Sequence, residues 1–219
     1  MPLPYAAVLF DLDGTLLDTL RDLAEAGNCA LAGHGFPAHT IDAYRYFIGE
    51  GVSKLFLRAL PPEARNDQTI ARCASVFRAA YAQGWSVHTR PYAGIPELLQ
   101  TLSQRGLPLT VLSNKPDDFT QRCVRELLGA YHFHAVLGQR HGLPLKPDPA
   151  GALEIAKRLA VPADRMLYLG DSGVDMQTAT AAGMFPVGAS WGFRTREELL
   201  THGARVVISQ PQDLVPLLD

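Results

Sequence analysis

The chain has 219 residues, 47% of them hydrophobic and 19% charged, with a formal net charge of -2 and a pI of about 6.4. That length can bury one large core or two modest ones, while the near-neutral balance argues against nucleic acid or an anionic membrane as partner. No apolar run approaches the roughly 18 residues that span a bilayer, and Cys29, Cys73 and Cys123 are odd in number and far apart, which argues against disulfides or a zinc site and fits a reducing cytoplasm.

Tyr5-Ala6-Ala7-Val8-Leu9-Phe10 carries no charge and reads as a strand buried on both faces. It runs into Asp11 and Asp13, two residues apart, and then Gly14, where the backbone is expected to turn. Two carboxylates at the end of a buried strand repel each other, and a divalent cation between them relieves the repulsion. The plainer alternative is an acidic turn in which Asp13 or Thr15 caps the next helix.

From Asp18 to about Trp85 apolar residues recur at helical spacing, as in Leu20, Leu23, Ala24 and Leu31, and no convincing strand appears. Breaks at Gly33–Pro37, Gly49-Glu50-Gly51 and Pro61-Pro62 suggest about four helices. Arg90-Pro91-Tyr92-Ala93-Gly94 reads as the linker out of this insert. Beyond Ile95 helix and strand patterns alternate: strands are expected at Leu107–Leu112, Ala135–Leu137, Met166–Leu169, Phe185–Gly188 and Val206–Ile208, and helices over Pro96–Arg105, Pro116–Leu128, Pro149–Ala160, Met176–Ala182 and after Pro211. The fold class expected is α/β, a doubly wound Rossmann-like parallel sheet, with residues 1–17 and 91–219 forming the core domain and 18–90 an inserted helical cap.

Three strand ends carry further polar residues. Ser113 and Asn114 follow the strand to Leu112 and can donate to phosphoryl oxygens beside a helix N-terminus, though such residues also serve turns. Lys146 lies in a loop stiffened by Pro147 and Pro149. Asp171 and Asp175, after the strand to Leu169, fall on one side of a loop entering a helix; their plainer role is an N-cap and a first-turn acid. With Asp11 they make an oxygen-rich set suited to Mg²⁺. His132 and His134 could chelate a metal, but no third ligand is spaced nearby. Trp191-Gly192-Phe193 either lines a pocket rim or packs in the core.

Asp11-Leu12-Asp13-Gly14-Thr15-Leu16-Leu17-Asp18-Thr19, Ser113-Asn114, Lys146 and Gly170-Asp171-Ser172-Gly173-Val174-Asp175 together resemble, in order, the four motifs of the haloacid dehalogenase superfamily. The resemblance implies that Asp11 is a nucleophile, Asp13 a general acid/base and Lys146 a catalytic cation. It implies phosphate contacts from Gly14, Thr15, Ser113, Asn114 and Lys146. It implies Mg²⁺ on Asp11, Asp171 and the backbone carbonyl of Asp13, with Asp175 acting through water or at one remove. Asp13 favours phosphate esters over carbon–halogen or phosphonate substrates. The subgroup it most resembles is the phosphoglycolate phosphatases, on Asp18-Thr19, Phe47–Val52, Ser113–Pro116 and Gly170-Asp171-Ser172. Gly49, Glu50, Gly51 and Lys54 are then candidate specificity residues in a lid that excludes water. The expectation is a cytoplasmic, Mg²⁺-dependent phosphatase of a small phosphorylated metabolite, monomeric or homodimeric. A sugar-phosphate mutase or pyrophosphatase of the same superfamily is the alternative, and a phosphorylated signalling receiver the more distant one.

Overall fold

Ala7-Val8-Leu9-Phe10 has no polar side chain to show to water, so it can be stable only with a strand on each side and a layer on each face. The computed structural model, which describes residues 5–219, puts it there. Its strands are β1 Ala7–Phe10, β2 Leu17–Asp18, β3 Arg90–Pro91, β4 Leu109–Pro116, β5 Phe133–Gln139, β6 Met166–Gly170, β7 Phe185–Ala189 and β8 Val206–Ile208. Six of them form one parallel sheet in the order β5-β4-β1-β6-β7-β8, with every β1 residue fully buried. The chain therefore winds outward from β1 in one direction through β4 and β5, and in the other through β6, β7 and β8. The carboxyl ends around β1 form the switch point where such sheets bind ligands. The register aligns Phe10 with Val111 on one side and Leu169 on the other. Asp11, Ser113 and Asp171 consequently leave three neighbouring strands within a residue or two of that line.

The chain divides into two units, Met1–Leu17 with Pro91–Asp219, and Asp18–Arg90. The second unit is helical: α1 Leu20–Ala32, α2 Tyr44–Phe47, α3 Val52–Ala59 and α4 Asp67–Gly84. Its interior includes Phe56, Phe77 and Tyr81, with Phe56 and Phe77 edge to face at 5.9 Å and Phe77 stacked on Tyr81 at 5.6 Å. Asn66 caps α4 by accepting from the Thr69 N–H. Buried Asp22 on α1 accepts from the N–H groups of His88 and Thr89 and from the Thr89 hydroxyl, tying the unit's last residues to its first helix.

In the sheet unit the helices are α5 Ile95–Gln104, α6 Asp117–Leu127, α7 Ala150–Leu159, α8 Gly173–Ala182 and α9 Arg196–Thr201. Leu9, Leu112, Ile155, Tyr168 and Met184 belong to one buried apolar cluster. Several boundaries differ from those read off the sequence. The first strand starts at Ala7, and β4 runs on to Pro116, where it still pairs with Gln139 after a register shift. The helix expected from Met176 begins at Gly173, because Ser172 and Asp175 close a capping box one turn earlier. α9 was not anticipated, yet Thr195 accepts from the Glu198 N–H in the Thr-x-x-Glu pattern that announces a helix start. The closing segment Pro211–Leu218 is a 3-10 helix. Neither Asp13 nor Thr15 caps a helix: α1 begins after Thr19.

Candidate active site

Gly14 makes the turn possible. Its φ of 88° is in the left-handed region, and a Cβ there would lie 2.3 Å from Asp171 Oδ2. The turn closes through the Gly14 N–H to the Leu17 carbonyl at 2.9 Å and the Leu17 N–H to the Leu12 carbonyl, also at 2.9 Å. Behind the turn the Thr15 hydroxyl donates to Asp171 Oδ1 at 3.0 Å. Asp171 Oδ2 accepts from the Phe193 N–H at 2.7 Å, and the Trp191 indole N–H donates to the Thr15 carbonyl at 3.0 Å. Gly192 lets that segment close in: a Cβ on it would fall 2.2 Å from the Asp171 Cβ. Trp191-Gly192-Phe193 is thus a brace for the Asp171 loop, neither a rim nor simple core.

Lys146, buried, reaches Asp11 Oδ1 at 2.8 Å and Asp175 Oδ1 at 2.6 Å, and donates to the Leu112 carbonyl at 3.2 Å. Its loop is fixed by Asn114, whose amide donates to the Lys146 carbonyl at 3.1 Å while its oxygen accepts the Lys146 N–H at 2.8 Å. Asn114, expected as a phosphate donor, also anchors the lysine loop, because its side-chain amide bonds both main-chain groups of one residue at once. Thr15 likewise spends its hydroxyl on Asp171. Ser113, also buried, accepts the Lys115 N–H at 3.2 Å.

Asp175 is the most fully bonded carboxylate of the site. Oδ1 accepts from Lys146 and from the Tyr168 hydroxyl at 3.1 Å; Oδ2 accepts from the Ser172 N–H at 3.1 Å and hydroxyl at 2.6 Å. A carboxylate has about four lone-pair positions, so these donors use them up. Its first-turn position and its place in the site are the same fact: the capping box that starts α8 also aims Oδ1 at Lys146.

Asp11, Asp171 and Asp175 each bring an oxygen within 4.8 Å of the others, and all three are buried. Burial pushes the Asp11 carboxyl well above the usual range, with Asp175 and Asp171 adding to the push and Lys146 opposing it. Asp171 is pushed up to about 7, again by burial first and Asp175 second. Burial pulls Lys146 down, but Asp11 and Asp175 outweigh it and hold it well above the ordinary lysine value. The surplus negative charge calls for a hard cation, and an all-oxygen donor set fits Mg²⁺.

Asp13 is partly exposed and its two oxygens lie 2.9 and 3.1 Å from the Lys115 ammonium. Lys115 was not singled out from the sequence. A strand carried through Ser113 to Lys115 would have put both on one face by its period of two, but the expected strand stopped at Leu112.

Gly49, Glu50, Gly51 and Lys54 belong to the other unit. Gly49 and Gly51 have φ of 115° and 83° and shape the turn before α3. Glu50 is salt-bridged to Arg58, and Lys54 is exposed. The rings of His132 and His134 pack edge to face at 4.6 Å.

Residues 8–189 match the family model described as haloacid dehalogenase-like hydrolase. The chain is 33% identical over 213 residues to the phosphoglycolate phosphatase of Pseudomonas savastanoi pv. phaseolicola, covering 95% of this chain and 78% of that one. It is 36% identical over 186 residues to that of Thiobacillus denitrificans, covering 83% and 82%. Among solved structures, a candidate phosphoglycolate phosphatase of Lactobacillus delbrueckii subsp. bulgaricus superposes with a TM-score of 0.92 at 34% identity over 98% of both chains. A hydrolase from Pseudomonas syringae gives 0.80 at 26% identity, over 99% of this chain and 98% of that one.

Proposed function

The chain belongs to the haloacid dehalogenase-like hydrolases and is a phosphatase; within that class we propose that it hydrolyses a small phosphomonoester, 2-phosphoglycolate or a close analogue, by way of an aspartyl phosphate on Asp11. The observation that carries this reading is Lys146 spanning Asp11 and Asp175. An ammonium bound to a carboxylate that is itself to become a nucleophile neutralises the charge built up when that carboxylate meets a phosphate dianion.

Asp11 attacks phosphorus and the bond to the alkoxide oxygen breaks, with Asp13 giving that oxygen a proton. Asp13, now ionised, takes a proton from water; the water oxygen bonds to phosphorus and the Asp11–phosphorus bond breaks, returning both aspartates to their starting state. Lys146 faces the developing charge throughout, and Asp175, held by Tyr168 and Ser172, keeps Lys146 in place. Asp11 and Asp171 keep lone pairs uncommitted and would hold Mg²⁺ with the Asp13 carbonyl, whereas Asp175 has none to spare and would act at one remove. Bound there, Mg²⁺ supplies Lewis-acid neutralisation of phosphoryl charge.

We assign residues 18–90 as the cap and the Gly49–Gly51 turn, Glu50 and Lys54 as its specificity elements. The relatives named for phosphoglycolate support the substrate class. No helix among the described residues is long and apolar enough to cross a membrane, which accords with a cytoplasmic enzyme acting on a metabolite as monomer or homodimer.

The test is phosphate release from 2-phosphoglycolate, sugar phosphates, nucleotides and pyrophosphate, with Mg²⁺ and with a chelator. Mg²⁺-dependent turnover led by 2-phosphoglycolate is expected. Turnover that persists in Asp11→Ala would reject the nucleophile.

A further inference from the structure

The site holds two buried lysines, and they do different things. Lys146 touches Asp11 and Asp175; Lys115, whose side chain is 3% exposed, holds Asp13. Asp13 stands on the turn after β1, and the hydrogen bonds to its carboxylate come from Lys115, not from its own loop. Lys115 stands on β4, where its carbonyl accepts from the Thr120 hydroxyl at 3.1 Å and its N–H is bonded to Ser113. Gly138 of β5 packs against the same carbonyl so closely that a Cβ would come within 2.8 Å of it. The ammonium is therefore carried by a strand whose backbone is bonded at both its N–H and its carbonyl, and the carboxylate by a turn.

We propose that Lys115 is the positioning residue of Asp13: it sets the direction in which that carboxylate presents its proton to the leaving oxygen. The inference rests on the reading of Asp13 as general acid/base. A carboxylate on a turn can rotate about two side-chain bonds, and proton transfer demands hydrogen-bond reach along one direction. The ammonium meets both oxygens, at 2.9 and 3.1 Å, so the grip fixes the rotor, while each oxygen keeps a second lone-pair direction in which to carry the proton. The division of labour follows: Lys146 serves the attacking carboxylate and acts on every ester, while Lys115 matters only as far as the leaving group needs a proton.

Leaving-group dependence reads this directly. The holoenzyme, Lys115→Met, Lys115→Arg, Asp13→Asn and the double variant Lys115→Met/Asp13→Asn would be assayed with Mg²⁺ on 2-phosphoglycolate and on p-nitrophenyl phosphate, whose phenolate leaves with little help. Lys115→Met should lower kcat on the alkyl ester by about 10²-fold, the typical cost of misplacing a reacting group, with KM nearly unchanged and a much smaller fall on the aryl ester. Lys115→Arg should recover part of the loss, and adding Lys115→Met to Asp13→Asn should cost nothing further. Should Lys115→Met fail to fold, Lys115→Ala, which likewise removes the donor, provides the same ester ratio. An equal fall on both esters, a change in KM alone, or no change would overturn the proposal. Equal losses on both esters in Asp13→Asn would overturn the acid/base reading and this inference with it. Selective losses there beside unselective ones in Lys115→Met would overturn the role of Lys115 alone.

Discussion

Each unit buries aspartate, but for opposite purposes. Asp22 in the helical unit is 3% exposed and is met by two backbone N–H groups and one hydroxyl, all neutral. Asp11, Asp171 and Asp175 in the sheet unit are also buried, yet they converge on one another, and Asp11 and Asp175 share Lys146. Burial alone thus says nothing about function; the distinction lies in whether the partners satisfy the charge or leave some of it over. Asp22 is a fastening held by neutral donors, although its oxygen also lies within 4.8 Å of ligand atoms of Glu25 and His88. The other three crowd like charges around a single lysine and leave some of that charge unmatched.

Substitutions can break that contrast. The largest effect is expected from Asp11→Asn, which should abolish phosphate release while the protein stays folded, checked by steady-state assay beside circular dichroism. Lys146→Met should follow, costing about 2.7–4 kcal/mol of transition-state stabilisation, the range for removing a preorganised electrostatic group, and costing it on every ester alike. Asp22→Ala reverses the pattern: three donors are left without their acceptor, so thermal or urea unfolding should show a loss of about 3 kcal/mol, with kcat per folded molecule retained. The smallest effect concerns thiols. Burial pushes Cys123 up to about 11, above the roughly 8.5 of a free thiol. A raised folded value contributes stability that is intact below the unfolded one and lost as pH climbs towards about 11, so unfolding midpoints should decline across that window and Cys123→Ala should flatten the decline. At neutral pH iodoacetamide should label exposed Cys29 well before Cys123.

The sequence was most legible where a residue's neighbours determine its role. An uncharged strand followed by paired acids and Gly14 announces a buried strand and a tight turn, and the alternation beyond Ile95 announces the parallel sheet. Contacts made at a distance were less legible. Asn114, Thr15 and Trp191 were readable as polar or aromatic residues near strand ends, but not as braces for Lys146 and Asp171, because their partners lie 32, 156 and 176 positions away. Lys115 was hidden by a strand that runs four residues past its last apolar side chain. Backbone pairing with β5, which leaves no mark on composition, keeps it extended.

Asp171 is wedged between two positions that have no room for a methyl group, Gly14 on one side and Gly192 on the other. One added carbon at Gly192 would displace the Asp171 carboxylate and leave Asp11 chemically intact. Gly192→Ala is accordingly a candidate for a silenced protein that still recognises its ester, the form in which an uncleaved substrate could be soaked into crystals and identified.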